Sequence, residues 1–173
     1  MTRENAHPHC DTSGRVHIVM NGIVENWVDL RARLQAAGAE FSSQTDAEVV
    51  AHLVAHHLDG DLVEAVRRAY SELRGHYAFV AVSADHPGLL AGARKECPLV
   101  VGLGRGETFI ASAIPAFLSE TRRVQIVEDD DIVAVTPGDL ASSTRPARRC
   151  GARRARWTGT RTSRRRAAMR PSC

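Results

Sequence analysis

The stretch from His76 to Thr136 constrains the fold most, because it consists of short apolar runs separated by turn residues. The runs are HYAFVAVSA, LLAGAR, CPLVVGLG, TFIASA, RRVQIV and DIVAVT. Short connections such as DHPG join antiparallel strands, whereas parallel strands need long crossovers. Several runs carry apolar residues on both faces, which is typical of sheets that are covered on both sides. The pattern predicts an α+β protein in which antiparallel sheets pack against helices.

Three helices are expected before these strands. They lie in the segments ENWVDLRARLQAAG, TDAEVVAHLVAHHLDG and DLVEAVRRAYSELRG. In the second segment Thr45 and Glu48 occupy the two positions of a capping box, in which each side chain satisfies a free amide at the helix start. The apolar run RVHIVMNG, which precedes the first helix, is predicted to be a strand that stops at Asn21 and Gly22.

Charge is distributed unevenly along the chain. Residues 1–140 contain 12 basic and 20 acidic residues, a net charge of −8, whereas residues 141–173 contain 11 arginines and no acidic residue. This last segment also has no Leu, Ile, Val, Phe or Tyr. It cannot bury enough apolar surface to offset the entropy lost on ordering. We expect a partial domain over 1–140, and an arginine-rich tail over 141–173 that is disordered or encoded out of frame.

The lack of long apolar runs and the spacing of the cysteines argue against a membrane-spanning, secreted or zinc-binding protein. No apolar run approaches the roughly 18 residues that a membrane span needs, and the N-terminal residues lack the apolar core of a secretion signal. We therefore expect a cytoplasmic protein without a membrane partner. The four cysteines form no CxxC pair and are predicted to be unpaired thiols. They are Cys10, Cys97, Cys150 and Cys173.

Two groups of histidines raise the question of a metal site. His7, His9 and Cys10 lie within HPHC, but they lack a fourth ligand and the usual zinc spacing, so a polar loop is the better interpretation. The second group, in HLVAHH, lacks the glutamate of an HExxH site and is interpreted as a set of helix-surface histidines. No metal site is predicted.

Several blocks of sequence, taken together, are more specific than any single motif. In chain order they are NAHPH, NGIVEN, LRARLQAAGAEFSSQTDAEVVAHLV, LRGHYAFVAVS, ARKECPLVVGLGRGETFIASAIPA and TRRV. In order and spacing they resemble the glutaminase domain, a type 2 glutamine amidotransferase, of the glutamine-fructose-6-phosphate aminotransferase (isomerizing) family. The resemblance covers Asn5 to Thr136.

The resemblance implies an N-terminal-nucleophile amidotransferase fold. This is a four-layer sandwich of two antiparallel sheets between helical layers, here incomplete. In that family an N-terminal cysteine attacks the side-chain amide of glutamine, and the released ammonia passes to a separate isomerase domain that makes glucosamine 6-phosphate. Glutamine is the implied substrate. Fructose 6-phosphate is implied only through an isomerase domain that this sequence does not contain, and no cofactor is implied.

The resemblance also assigns three site residues. Asn21 and Gly22 correspond to the oxyanion hole, where each preorganised donor can be worth about 3 to 4 kcal/mol. Without the resemblance, the pair is an ordinary Asn-Gly turn. Asp46 matches the aspartate that pairs with the α-ammonium group of glutamine, and it can also serve as a carboxylate at a helix N-terminus.

Other positions depart from the family pattern. Met20 replaces a histidine beside the oxyanion hole, and Ala113 replaces an aspartate. The family's N-terminal cysteine and its glutamine-carboxylate arginine have no counterpart, so we expect the chain alone to be catalytically incomplete. Two alternatives remain open. One is a non-catalytic protein that binds nucleic acid through its arginine-rich tail, and the other is a degenerate module that binds glutamine or a partner.

Overall fold

The structure, a computed structural model, describes residues 2–137, 139–143 and 154–156. The helices in this part of the chain are α1 (Trp27–Ala36), α2 (Asp46–His57), α3 (Leu62–Glu72) and the 3-10 helix Ile114–Phe117. The strands are β1 (His9–Cys10), β2 (Val16–Val24), β3 (Gly75–Ser83), β4 (Leu90–Lys95), β5 (Val100–Leu103), β6 (Thr108–Ala111), β7 (Arg123–Ile126), β8 (Ile132–Thr136), β9 (Asp139–Ser143) and β10 (Arg154–Arg156).

Two antiparallel sheets form the framework. Within the described residues, sheet A has the strand order β1-β2-β3-β4-β8-β9, and sheet B has the order β10-β7-β5-β6. The three predicted helices are present, and α2 and α3 begin with side-chain caps. The Thr45 hydroxyl accepts a hydrogen bond from the Glu48 amide, and the Asp61 carboxylate accepts from the amides of Val63 and Glu64.

The larger apolar core lies between the helices and one face of sheet A. It is built from aliphatic and aromatic side chains that are almost fully buried, each contributing about 1.5 to 3 kcal/mol. They include Val16, Ile18, Val24, Leu53, Val66, Tyr77 and Phe79. On β2 these are the even-numbered residues, so the odd-numbered residues Val19, Asn21 and Ile23 lie on the opposite face.

A second core joins the two sheets. It contains Ala78, Leu99, Val101, Val127, Val133 and Val135. On the outer side of sheet B, the 3-10 helix places Phe117 over Gly102, where an added Cβ would come within 2.6 Å of the ring. The predicted α+β fold class is confirmed, and in the described residues this 3-10 helix is the outer layer over sheet B.

Two local predictions were wrong. Strand β2 does not stop at Asn21 and Gly22 but continues to Val24, because Gly22 adopts a φ of +111° while it stays paired with Tyr77. The His9–Cys10 pair is a strand rather than a polar loop, because it pairs with β2 and the His9 side chain is buried.

The predicted boundary at residue 140 lies inside a strand. β9 pairs with β8, and β10 pairs with β7, so strands continue beyond Thr136, where the sequence pattern ends. The remainder of the predicted disordered tail, including Cys150 and Cys173, lies outside the described residues. No helix in the described part of the chain is long and apolar enough to cross a membrane.

Candidate functional site

Asn21 lies in the middle of β2 on the face of sheet A that looks toward sheet B. It is opposite Ala78 of β3, and its side chain is exposed. Its neighbours on the same face are Val19 and Ile23, which are 49% and 64% exposed. The side-chain amide of Asn21 has no hydrogen-bond partner among the described residues. It is therefore available to a ligand on this face.

Gly22 occupies a position where any side chain would clash with the backbone of β3. A Cβ built on it would lie 2.1 Å from the carbonyl oxygen of His76 and 2.7 Å from the Cα of Tyr77. The same Cβ would lie 3.0 Å from the sulfur of Cys97, so that thiol adjoins the Asn21–Gly22 step. The sequence contains no local signal for this contact. It arises because Glu96 forms a parallel bridge with Tyr77, the strand partner of Gly22.

An exposed histidine lies on β3 beside Asn21 and Gly22. His76 lies between two carboxylates, with its Nδ1 2.7 Å from Glu96 and its Nε2 3.7 Å from Glu25. Its side chain is more than half exposed, so these contacts are screened by solvent and add little stability. The Cys97 sulfur forms no hydrogen bond with His76 or with any other described residue.

Asp46 is the first residue of α2, and it is tied to β2. Its Oδ2 accepts a hydrogen bond of 2.7 Å from the backbone N–H of Val24, two residues beyond Gly22. Its Oδ1 accepts no hydrogen bond from a described residue. The helix N-terminus also favours negative charge at this position. The structure thus ties Asp46 to the last residue of β2, two residues beyond Gly22 and three beyond Asn21.

A buried carboxylate fixes the loop that leads to Asp46. Glu48 is 1% exposed, and its two oxygens accept hydrogen bonds from the amides and hydroxyls of Ser42 and Ser43 at 2.5 to 2.8 Å. The capping-box prediction was therefore half right. Thr45 caps the Glu48 amide, but the Glu48 carboxylate bonds to the serines instead of returning to Thr45, because their donors are directed at it. Burial acts to raise the pKa of Glu48, and these four hydrogen bonds outweigh it and lower the pKa.

Two histidines, one expected on a helix surface and the other in a polar loop, are buried beside this carboxylate. His52 is 4% exposed, and its Nε2 is 3.9 Å from Glu48 with no hydrogen-bond partner of its own. Its ring packs against Phe41 at a centroid distance of 4.1 Å. The Nε2 of His9 is 3.2 Å from the Thr45 hydroxyl. Burial lowers the pKa of both His9 and His52. Within the described residues, no group of three metal-ligating side chains is assembled.

The two departures from the expected pattern lie in different environments. Met20 packs against the helix-side core, where a histidine would introduce a polar group. Ala113 precedes the 3-10 helix, which has no side-chain cap. An aspartate at that position would supply a capping carboxylate.

The sequence match decides the family. A family model described as a glutamine amidotransferase domain matches residues 1–119, well over half of the 173 residues. The chain belongs to this glutamine amidotransferase family. Two relatives named glutamine-fructose-6-phosphate aminotransferase (isomerizing) support the assignment. The relative from Symbiobacterium thermophilum is 49% identical over 140 residues, and the one from Aquifex aeolicus is 45% identical over 136 residues.

These alignments are unequal in coverage. They include 81% and 79% of this amidotransferase chain but only 23% of each relative. The chain therefore spans less than a quarter of the length of the relatives that it matches. The nucleic-acid alternative is favoured by neither the family match nor these relatives.

Solved structures confirm the fold of the amidotransferase chain. A structure of glutamine phosphoribosylpyrophosphate amidotransferase from B. subtilis superimposes with a TM-score of 0.69 at 24% identity, covering 83% of this chain and 32% of the other. A glutamine aminotransferase class-II domain protein from Silicibacter pomeroyi gives a TM-score of 0.62 at 18% identity, covering 83% of this chain and 72% of the other. At these identities the likeness concerns the fold alone.

Proposed function

We propose that this chain is the glutamine-binding module of a glutamine-fructose-6-phosphate aminotransferase. The observation that carries the proposal is that Asn21, whose exposed side-chain amide has no hydrogen-bond partner among the described residues, lies three residues before Val24, whose N–H bonds to the Asp46 carboxylate. The names of the relatives at 45 to 49% identity support the same assignment. In the whole protein, ammonia released from glutamine would pass to fructose 6-phosphate in an isomerase domain. A sugar-phosphate substrate is consistent with a cytoplasmic location.

Each proposed residue has a distinct role. The Asn21 side-chain amide and the Gly22 backbone N–H would donate to the oxygen of the glutamine amide as negative charge develops on it. Such stabilisation of developing charge is usually the largest single contribution to catalysis. The unoccupied Oδ1 of Asp46 would accept from the α-ammonium of glutamine. Its Oδ2 keeps the side chain in place through Val24.

We propose that this chain does not turn over glutamine by itself. In the described part of the chain the free thiols are Cys10 and Cys97. A thiol becomes an effective nucleophile when a base or a nearby positive charge favours the thiolate. Cys97 adjoins Gly22, but its sulfur has no hydrogen-bonded base among the described residues. The module would thus supply the oxyanion site and the ammonium site without an activated nucleophile.

Two measurements test the proposal. In NMR titrations of the purified chain with glutamine, the backbone amide signals of Gly22 and Val24 should shift in the wild type and in Asp29→Ala, a matched control at the start of α1, but not in Asp46→Ala. Absence of shifts in the wild type would rule out the proposed site.

In a coupled assay, glutamate release should not exceed that of buffer. Release that is abolished by Asn21→Ala or Cys97→Ser would show that the chain has its own nucleophile.

A further inference from the structure

The loop between α1 and α2 leads directly into Asp46. We call residues 41–45 the anchor loop, and none of them belongs to a helix or strand. Side chains hold the loop in place instead. From α1, the Arg31 guanidinium donates a hydrogen bond of 3.0 Å to the Ser43 carbonyl oxygen, and its Cζ lies 4.3 Å from the centroid of the Phe41 ring. The position of Asp46 therefore depends on the side-chain contacts that the anchor loop makes.

Glu48 holds the anchor loop from the side of α2, and its carboxylate is fully used. Its Oε1 accepts hydrogen bonds from the amide and hydroxyl of Ser42 at 2.7 and 2.8 Å, and its Oε2 accepts from the same groups of Ser43 at 2.6 and 2.5 Å. A carboxylate has about four lone-pair positions, so all of them are occupied. Ser42 itself is exposed, so water can replace its two hydrogen bonds if it moves outward.

His52 lies beneath the anchor loop, four residues after Glu48 on α2. Its ring is buried against Phe41, and its Nε2 has no hydrogen-bond partner. Glu48 is the nearest carboxylate, with its Oε1 3.9 Å from this nitrogen. The other charged groups that act on His52 are Asp11, between β1 and β2, and Arg31 on α1. Arg31 is positive, and Asp11 is held by hydrogen bonds within its own turn, so Glu48 is the group that a proton on His52 would engage.

Protonation of His52 would disturb this arrangement. An imidazolium donates from both ring nitrogens, and Nε2 is too far from Glu48 for a hydrogen bond. The additional donor can be satisfied in two ways. Either Oε1 of Glu48 turns toward His52 and gives up Ser42, or Phe41 moves aside and admits water to the ring. Both changes open the anchor loop, which ends at Thr45, the cap of α2.

We infer that His52 is a proton-dependent switch for the anchor loop and a positioning residue for the proposed glutamine site. The neutral imidazole keeps the loop closed, and protonation opens the loop and displaces Asp46 from the end of β2. Acid favours the open loop because burial lowers the pKa of His52 in the closed loop, whereas a hydrated histidine has an ordinary pKa of about 6.5. Glu48 stays ionised, since its hydrogen bonds lower its pKa. The effect on glutamine rests on the proposed function, whereas the opening of the loop does not.

Hydrogen exchange of the purified chain measures the opening. The Ser42 and Ser43 amides donate to Glu48, so their protection factors, corrected for the intrinsic pH dependence of exchange, report the closed loop. Between pH 7.5 and 5.5 these factors should fall by about threefold to 10-fold in the wild type and stay constant in His52→Leu. They should also lie at least about 10-fold below that of Val80, in the middle of β3, because the loop opens without unfolding the sheet. Equal protection at all three amides would show that only global unfolding exposes the loop, and would overturn the inference.

Matched variants identify the titrating group. His56→Leu removes an exposed histidine from the same helix and should keep the wild-type pH dependence. His9→Gln removes the histidine that contacts the Thr45 hydroxyl, and it should keep the dependence as well. If circular dichroism shows that His52→Leu is unfolded, His52→Gln replaces it as a second variant that does not titrate. The inference fails if the wild type shows no pH dependence, if the dependence persists without His52, or if it is lost in His9→Gln.

Glutamine titrations followed by NMR connect the switch to the site. Glutamine keeps the same net charge between pH 7.5 and 5.5, so a change in affinity reports the protein. The Kd obtained from the Gly22 and Val24 signals should be at least about twofold higher at pH 5.5 in the wild type and unchanged in His52→Leu. Glutamine-induced shifts with the same Kd at both pH values would overturn the inference that protonation displaces Asp46. No shifts at either pH would reject the proposed function, and hydrogen exchange alone would then decide the switch.

Discussion

The carboxylate of Asp46 accepts a hydrogen bond of 2.7 Å from the backbone N–H of Val24. This contact joins the first turn of α2 to β2 at a point two residues beyond Gly22. Helix α2 also carries Glu48 and His52, which are buried beside the preceding loop. The candidate site is therefore positioned by the packing of one helix on one strand rather than by a flexible loop.

Replacing Asp46 should affect stability as well as glutamine binding. Asp46→Ala leaves the Val24 amide without its charged acceptor. Hydrogen bonds to charged groups contribute about 1.5 to 3 kcal/mol, and the partial exposure of Asp46 favours the lower end of this range. We expect the free energy of unfolding in urea to fall by about 1 to 2 kcal/mol. Asp29→Ala removes a carboxylate from the first turn of α1 and should cost only about 0.3 to 1 kcal/mol. Equal losses would show that the Val24 contact contributes nothing.

Gly22→Ala should be among the most damaging single substitutions. The added methyl group would lie 2.1 Å from the His76 carbonyl oxygen, and the φ of +111° is strained for any residue with a Cβ. Strand β2 would have to move away from β3. We expect a loss of more than about 3 kcal/mol in thermal or urea unfolding, or failure to fold.

Gly14→Ala is the control for the backbone strain alone. Gly14 also has a positive φ, of +67°, but a Cβ built there meets nothing within 4 Å. Its substitution should cost about 1 to 2 kcal/mol, the typical strain of a left-handed residue. If the two variants lose the same stability, the contact with His76 is not what restricts position 22 to glycine.

The periodicity of the sequence predicted the helices and most of the strands, because each element repeats its apolar positions locally. It could not predict that β2 continues past Asn21. An Asn-Gly pair is a common turn signal, and only the pairing of Gly22 with Tyr77 shows that the strand persists. The position of Cys97 could not be predicted either, because it depends on a bridge between Tyr77 and Glu96 that no local pattern encodes.

The role of Glu48 shows the same limit at shorter range. The capping-box pattern relates Thr45 to Glu48 and ignores the residues before Thr45. In the folded chain, Ser42 and Ser43 donate four hydrogen bonds to the Glu48 carboxylate, whereas a capping box would give it a single hydrogen bond from the Thr45 amide. Sequence resemblance supplied Asn21, Gly22 and Asp46 as candidates. Their roles in glutamine binding stay predictions.

Ser43→Ala should make the chain more sensitive to acid. The Ser43 hydroxyl donates to Glu48, whose pKa in the folded chain lies below its ordinary value because the hydrogen bonds outweigh burial. A depressed carboxylate pKa gives stability that is present above the unfolded-state pKa and is lost as the pH falls through the folded-state pKa. Removing the hydroxyl raises the pKa of Glu48, so the midpoint of acid unfolding should move to higher pH. At neutral pH we expect a loss of about 1 to 2 kcal/mol.

The control for this variant is Ser71→Ala, which removes an exposed hydroxyl that donates to the Arg68 carbonyl. Acid titrations followed by circular dichroism should show an unchanged midpoint for Ser71→Ala. An unchanged midpoint for Ser43→Ala as well would mean that its hydroxyl does not stabilise the Glu48 carboxylate.

His52 should account for part of the pH dependence of stability in mildly acidic solution. Burial lowers its pKa in the folded chain, although Glu48 and Asp11 oppose this and Arg31 reinforces it. The unfolded chain, with an ordinary histidine pKa of about 6.5, therefore takes up the proton first. The stability that neutral His52 provides is complete above about pH 6.5 and is lost as the pH falls toward the folded-state pKa, with a slope of at most about 1.4 kcal/mol per pH unit. Urea unfolding of His52→Leu between pH 7 and 5 should show a shallower dependence than the wild type, with His56→Leu as the control for removing an exposed histidine from α2. Parallel profiles for His52→Leu and the wild type would mean that the buried imidazole does not titrate with unfolding.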